Sequence, residues 1–163
     1  MTMWNISLYH CVVFLSCLGL YQSCCPEGWV KGRNSCYYPS SESASWLAAS
    51  AKCRAMQSNL VIINDHDENH FVTGMIKEYI QAYIHNFWLD GTDANHEGHF
   101  IWHSTNQPLH YNNWNVHEPS GGNENCIEML VKEYATPSTI GKWNDKICSN
   151  LNHFVCERSV DGS

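Results

Sequence analysis

Two stretches decide the reading of this chain: residues 108–126, PLHYNNWNVHEPSGGNENC, and residues 142–157, KWNDKICSNLNHFVCE. Each sets oxygen-bearing side chains at short spacing beside a cysteine. Glu118 and Ser120 flank Pro119, and Glu124 lies two residues before Cys126. Asn144 and Asp145 follow Trp143, with Cys148 just behind them. A hard cation such as Ca2+ takes about six to eight oxygens at roughly 2.3–2.6 Å. Glu118, Ser120, Glu124, Asn144 and Asp145, the last with its backbone carbonyl, can supply most of that shell. The remaining places suit the hydroxyls of a ligand. Any one of these residues in a loop is as often merely solvated. The ordered set (Glu-Pro-Ser, Glu-X-Cys, Trp-Asn-Asp, Cys) is what points to a metal site.

Outward from these stretches the pattern is mixed. Residues 104–125 are rich in Asn, Gly, Pro and His and show little periodicity, the mark of a functional or disordered loop. Tyr111, Trp114 and the flanking Cys126 argue against disorder. Upstream, residues 43–57 are Ala-rich. Trp46, Ala49, Cys53 and Met56 share one helical face, and Ser43 or Ser45 can cap its start. Residues 60–63 read as a short buried strand. Residues 65–80 read as a second helix, with Asp65 as N-cap, Glu68 three residues on, and Phe71, Met75 and Tyr79 on its apolar face beside Val72 and Ile76. Residues 87–89 and 100–102 read as strands separated by Asp-Gly and Glu-Gly turns. Residues 126–130 and 153–157 are further β segments, and residues 25–38 suggest a small hairpin. Two helices early and short strands late predict an α+β domain.

Composition narrows the function. The 163 residues carry 16 Asp+Glu against 9 Lys+Arg, a net charge of −7, which argues against a nucleic-acid partner, since that needs a basic face. Hydrophobic residues at 44% supply a core and exclude a disordered chain. Nine cysteines in so short a chain imply an oxidising compartment. Residues 11–20, CVVFLSCLGL, fit a signal-peptide core, although no Lys or Arg precedes Lys31. The expected organisation is a cleaved leader over 1–23, a domain over 24–159 and a short tail over 160–163. The product is expected to be secreted, with no membrane insertion. The Asn5-Ile6-Ser7 sequon falls in the leader. Cleavage before Cys24 would leave seven cysteines, an odd number whose connectivity the sequence leaves open. Cys24 is the natural odd one, which suggests a homo-oligomer linked through it.

The residues from 25 to 157 resemble a C-type lectin domain, and specifically the perlucin-like secreted lectins of invertebrates. The resemblance is carried by CPEGWVKGRNSCYY, WLAASAKC, LVIIND, FWLDGTDANHEGHFIW, PLHYNNWNVHEPSGGNENC and KWNDKICSNLNHFVCE, in complete order. Trp88-Leu89-Asp90-Gly91 stands where the family usually has Trp-Ile-Gly-Leu. The resemblance implies disulfides Cys25–Cys36, Cys53–Cys156 and Cys126–Cys148, and a cis Glu118–Pro119 bond. It also implies a principal calcium site at Glu118, Ser120, Glu124, Asn144 and Asp145, with Ser120 where the mannose-type motif usually has Asn. An auxiliary site in some members uses positions matching Asp93, Glu97 and Glu124. Here Gly121 and Asn125 stand where that site often has Asp.

In function, the resemblance implies a binding module. Ca2+ held by the five residues would coordinate vicinal hydroxyls of a terminal sugar. A leading Glu-Pro favours mannose, glucose or N-acetylglucosamine, and Ser120 leaves galactose open. The implied partners are glycans with terminal sugars, such as those on microbial surfaces, and the implied setting is innate immune recognition. The alternative is a perlucin-like structural protein of a calcified matrix, in keeping with the charge of −7 and the acidic loops. An enzyme is disfavoured. Glu118 and Glu124 could pair as acids, as in glycosidases, but no nucleophile–base set accompanies them. In His96-Glu97-Gly98-His99 the His-Glu-X-X-His spacing of a zinc protease fails at Phe100.

Overall fold

The computed structural model describes residues 25–79, 86–131 and 137–160. The expected leader, the Asn5 sequon and Cys24 lie outside the described residues. The elements run β1 (Val30–Lys31), β2 (Ser35–Pro39), α1 (Trp46–Ala55), β3 (Asn59–Leu60), α2 (His66–Tyr79), β4 (Phe87–Thr92), β5 (Ile101–Trp102), β6 (Gln107–Pro108), β7 (Cys126–Met129), β8 (Trp143–Lys146) and β9 (His153–Ser159). The architecture is the α+β one expected from the sequence.

Both helices start where the sequence places a cap. Ser45 Oγ accepts the Ala48 N–H at 3.4 Å, and Asp65 Oδ1 accepts the Glu68 N–H at 2.8 Å. Each pairing satisfies one of the orphan donors of a first turn. The buried side of α1 carries Trp46, Ala49 and Cys53. On α2 the fully buried side chains are Val72 and Ile76, with Met75 beside them. Phe71 only packs against the edge of that cluster.

Strand β9 organises the sheet. It pairs antiparallel with β2 and β3 and parallel with β4. Strand β4 in turn pairs with β5 and β7, and β7 pairs with β8. One core cluster lies between α2 and the β4–β7–β8 side and holds Val72, Ile76, Phe87, Leu89, Ile127, Met129 and Trp143. A second lies under α1 around Trp46, Trp88, Phe154 and the Cys53–Cys156 pair. The indole N–H groups of Trp46 and Trp88 donate to the backbone oxygens of Leu89 and Ala44, at 2.8 and 2.9 Å. Large rings can therefore be buried there without orphaning their donors. The bonded cysteines are Cys25–Cys36, Cys53–Cys156 and Cys126–Cys148, the three expected pairs.

Four local expectations change. The Asp90–Gly91 pair, read as a turn, lies inside strand β4. Of residues 60–63 only Leu60 lies in a strand. Val61 and Ile63 are buried as irregular chain, and the Val61 backbone still bonds Val155 O and Asp90 N. The long loop contains β6, which extends the β4–β5 pair. Residues 143–146, which carry little apolar alternation, form strand β8.

Candidate functional site

Trp143 is the anchor of the site. It is fully buried, with the rings of Trp102, Tyr111 and Trp114 set edge-on at 5.9, 5.6 and 5.9 Å. Its indole N–H donates to Asn69 Oδ1 at 2.8 Å. Its backbone clamps the long loop on both sides: Trp143 N donates to Asn113 O, and Asn115 N donates to Trp143 O. The loop therefore leaves Trp143 just before residue 118 and reaches the segment that carries Asn144 and Asp145. On the other side, the β7–β8 register pairs Cys126 with Lys146 and Ile127 with Asp145. That brings Glu124, two residues ahead of β7, alongside the end of β8. The Cys126–Cys148 bond ties the same two segments covalently.

Around Asp145 the loop is held by charge-assisted hydrogen bonds. The N–H groups of Ser120 and Gly121 donate to Asp145 Oδ1 and Oδ2 at 2.9 and 2.6 Å. Ser120 Oγ lies 3.0 Å from Glu124 Oε2 and 3.3 Å from Asp145 Oδ1, so its one proton serves one of them at a time. Lys146 Nζ donates to Glu124 Oε1 at 2.8 Å, and that bond holds the lysine above its usual pKa. The Glu118–Pro119 bond is cis, and His117 before it has φ 69°. This left-handed conformation is uncommon for a residue with a Cβ and is typical of constrained functional loops. Burial, together with the nearby Asp145 and Glu124 carboxylates, raises the Glu118 pKa.

Asn144 points into a different network. Its Nδ2 donates to Glu128 Oε1 at 3.1 Å. Glu128 is buried and also accepts from Asn86 Nδ2 at 2.9 Å and Asn152 Nδ2 at 2.6 Å. Because a carboxylate only accepts, the amide of Asn144 is oriented with its nitrogen inward and its oxygen away from Glu128. The acids that run together in sequence as Glu118, Glu124 and Glu128 therefore divide, and Glu128 belongs to the interior.

Near the auxiliary positions, Asp93 is buried and Glu97 exposed. Asp93 Oδ2 accepts the Gly98 N–H at 2.8 Å. Burial raises the Asp93 pKa, with Glu97 and Asp145 adding to it against the Gly98 bond. Glu97 Oε1 accepts the Gly122 N–H at 2.9 Å. At Gly121, with φ +74°, a Cβ would stand 2.7 Å from Glu97 Oε1. The glycine thus gives Glu97 its reach to Gly122.

Three buried side-chain oxygens here have no hydrogen-bond partner: Glu118 Oε2, Asp93 Oδ1 and Asn125 Oδ1. Leaving such acceptors dry and unpaired is costly, and a cation removes the cost. The donor set is oxygen only, which suits a hard cation. Among the described residues, no three His, Cys, Asp or Glu side chains are gathered so as to hold a metal by themselves. An ion here would therefore also rest on Ser120, Asn144, backbone carbonyls and ligand hydroxyls. A cavity of about 310 Å3 lies elsewhere, between β2, the end of β9 and the start of α2. There Tyr37 donates to Glu68 at 2.6 Å, and burial pushes Glu157 up to about 7.

Sequence reasoning singled out the oxygen donors and missed Lys146, Asn113 and Asn69. Lys146 is next to Asp145 in the chain and was visible. The other two carry no local signal.

Residues 42–158 match the family model of the Lectin C-type domain. Over 138 residues the chain is 34% identical to Perlucin of Haliotis laevigata, covering 82% of this chain and 83% of that protein. It is 30% identical over 148 residues to human asialoglycoprotein receptor 2, covering 86% of this chain but only 42% of the receptor. Its fold superposes with a TM-score of 0.68, at 35% identity, on the cow carbohydrate-recognition domain of CD23, solved in the presence of GlcNAc2Man3 oligosaccharide. That likeness covers 83% of this chain and 96% of the cow domain. The chain belongs to the C-type lectin domain family, a carbohydrate-binding and non-enzymatic family. Among the described residues no helix is long and apolar enough to cross a membrane.

Proposed function

We propose that the protein is a secreted, calcium-dependent lectin. Glu118, Ser120, Glu124, Asn144 and Asp145 would hold Ca2+, which supplies a Lewis-acidic centre for two vicinal sugar hydroxyls. The carboxylates would accept from those hydroxyls, while Asn144, whose nitrogen is held by Glu128, would offer its oxygen to the ion. The observation that carries the reading is the convergence of Ser120 and Glu124 from the loop on Asp145 of β8, beside the unpartnered Glu118 Oε2. Asp93, Glu97 and Glu124 would form the weaker auxiliary cation position, and the unpartnered oxygens of Asp93 and Asn125 support it. Mannose, glucose and N-acetylglucosamine are the favoured termini, with galactose open. A microbial glycan surface in innate immune recognition is the proposed partner. Affinity for one sugar is weak in such open sites, so avidity through a Cys24-linked oligomer would amplify it.

The test is a glycan array in about millimolar Ca2+, the range typical of extracellular calcium modules, repeated in EDTA. Binding that disappears in EDTA and in Glu118→Gln and Asp145→Asn supports the reading. Identical binding in both buffers refutes it. A second reading, a structural protein of a calcified matrix, is supported by the net charge of −7 and the match to Perlucin. Adsorption to calcium carbonate that ignores the Glu118 and Asp145 substitutions would favour it.

A further inference from the structure

The candidate site already contains a cation of its own. Lys146 stands directly after Asp145, and the β7–β8 register sets it opposite Cys126. Its ammonium sits 2.8 Å from Glu124 Oε1. The other oxygen of that carboxylate is engaged by Ser120 Oγ. Both side chains of the ion pair are largely shielded, at 35% and 22% exposure, so water and salt screen the pair less than an open surface bridge. Beyond the Glu124 contact, the Glu128 and Glu118 carboxylates add a weaker attraction to the ammonium. Without a positive charge there, Glu118, Glu124 and Asp145 would repel one another across the loop.

We propose that Lys146 is a resident counter-ion of the calcium site: it holds Glu124 and the loop together in the metal-free protein and competes with the divalent ion for the same carboxylate. This rests on the reading of Glu124 as a calcium ligand. One side chain then has two effects of opposite sign. Lys146 stabilises the calcium-free form, and it weakens calcium binding, both by occupying Glu124 Oε1 and by repelling a divalent charge. A unit positive charge about 6 Å from a divalent ion, at a water-like dielectric constant, changes its binding roughly tenfold. The lectin would therefore release calcium readily without losing its loop.

The experiment compares the full chain with Lys146→Met and Lys146→Arg. Calcium affinity is read by calorimetry with CaCl2, and metal-free stability by thermal unfolding in EDTA. Lys146→Met is expected to bind Ca2+ about tenfold more tightly while its metal-free form melts at a lower temperature. Lys146→Arg, which keeps the charge, should leave both close to the parent. Calcium binding by the parent with unchanged or weaker affinity in a folded Lys146→Met overturns the counter-ion role and leaves the site reading standing. Tighter binding with no loss of metal-free stability also overturns it. If Lys146→Met does not fold, Lys146→Gln is read in the same way. If neither the parent nor the neutral variants bind Ca2+, the site reading and this proposal fall together.

Discussion

Asp90 stands where the family usually has glycine, and its carboxyl is buried in β4 at 1% exposure. Oδ2 accepts both the N–H and the hydroxyl of Ser104 at 2.7 Å, which fixes the turn after β5. Oδ1 has no partner. Burial pushes its pKa from the ordinary 3.8 up to about 6, against the two Ser104 hydrogen bonds and the His103 and Arg54 charges. Between those values the folded protein binds more protons than the unfolded chain, so stability is present at low pH and falls as pH rises. Two pH units at about 1.36 kcal/mol each give a loss of roughly 3 kcal/mol, complete above pH ~6. Asp90→Asn keeps an acceptor for Ser104 and cannot ionise. Urea unfolding of both proteins in EDTA, from pH ~4 to pH ~7, isolates this residue, because every other carboxylate is common to the two proteins. The variant should gain about 3 kcal/mol over the parent across that window, and the gain should level off above the folded pKa. A difference curve flat to within a few tenths of a kcal/mol would refute the assignment of a buried, proton-binding Asp90.

Other outcomes can be checked on the same preparations. Gly91→Ala would drive a Cβ into the Ile127 side chain; denaturant unfolding should show a loss of about 1–3 kcal/mol or more from overpacking. Replacing Cys126 and Cys148 together by serine opens a bridge with a sequence separation of 22; chain entropy sets the cost near 3 kcal/mol, and calorimetry should show weaker Ca2+ binding. Asn69→Ala removes the partner of the Trp143 indole N–H and one of the two side-chain donors to Gly141 O, the other being Asn113. About 2–3 kcal/mol should be lost, with a changed near-ultraviolet signal from the loosened Trp143. Protons compete with Ca2+ for the carboxylates, so calcium affinity should fall between about pH 7 and pH 5, and an unchanged affinity would contradict a carboxylate-held ion.

How legible the molecule was in its sequence varies from element to element. The helices were legible because their signals are local: Ser45 and Asp65 cap within one turn, and Ala49, Cys53, Val72 and Ile76 repeat at the helical period. Strand β8 was not, because of its four residues only Trp143 is apolar; β7 supplies the partner that makes it a strand. The candidate site residues stood out as a set because two short segments carry them beside cysteines. Their roles were less so. Asn144 is turned by Glu128, whose other partners Asn86 and Asn152 lie 42 and 24 residues away.

What the chain alone determined was the order of its chemistry: oxygen donors in two short runs, each beside a cysteine, within an acidic α+β domain. Those are properties of residues close in sequence, where composition and spacing suffice. What only the tertiary structure decided was the partner of each charge. Lys146 neutralises Glu124, Glu128 is withdrawn to the interior, and Asp90 is buried with one oxygen that no protein group pairs. Each of these depends on strand register and burial, and both come from packing between segments far apart in the chain.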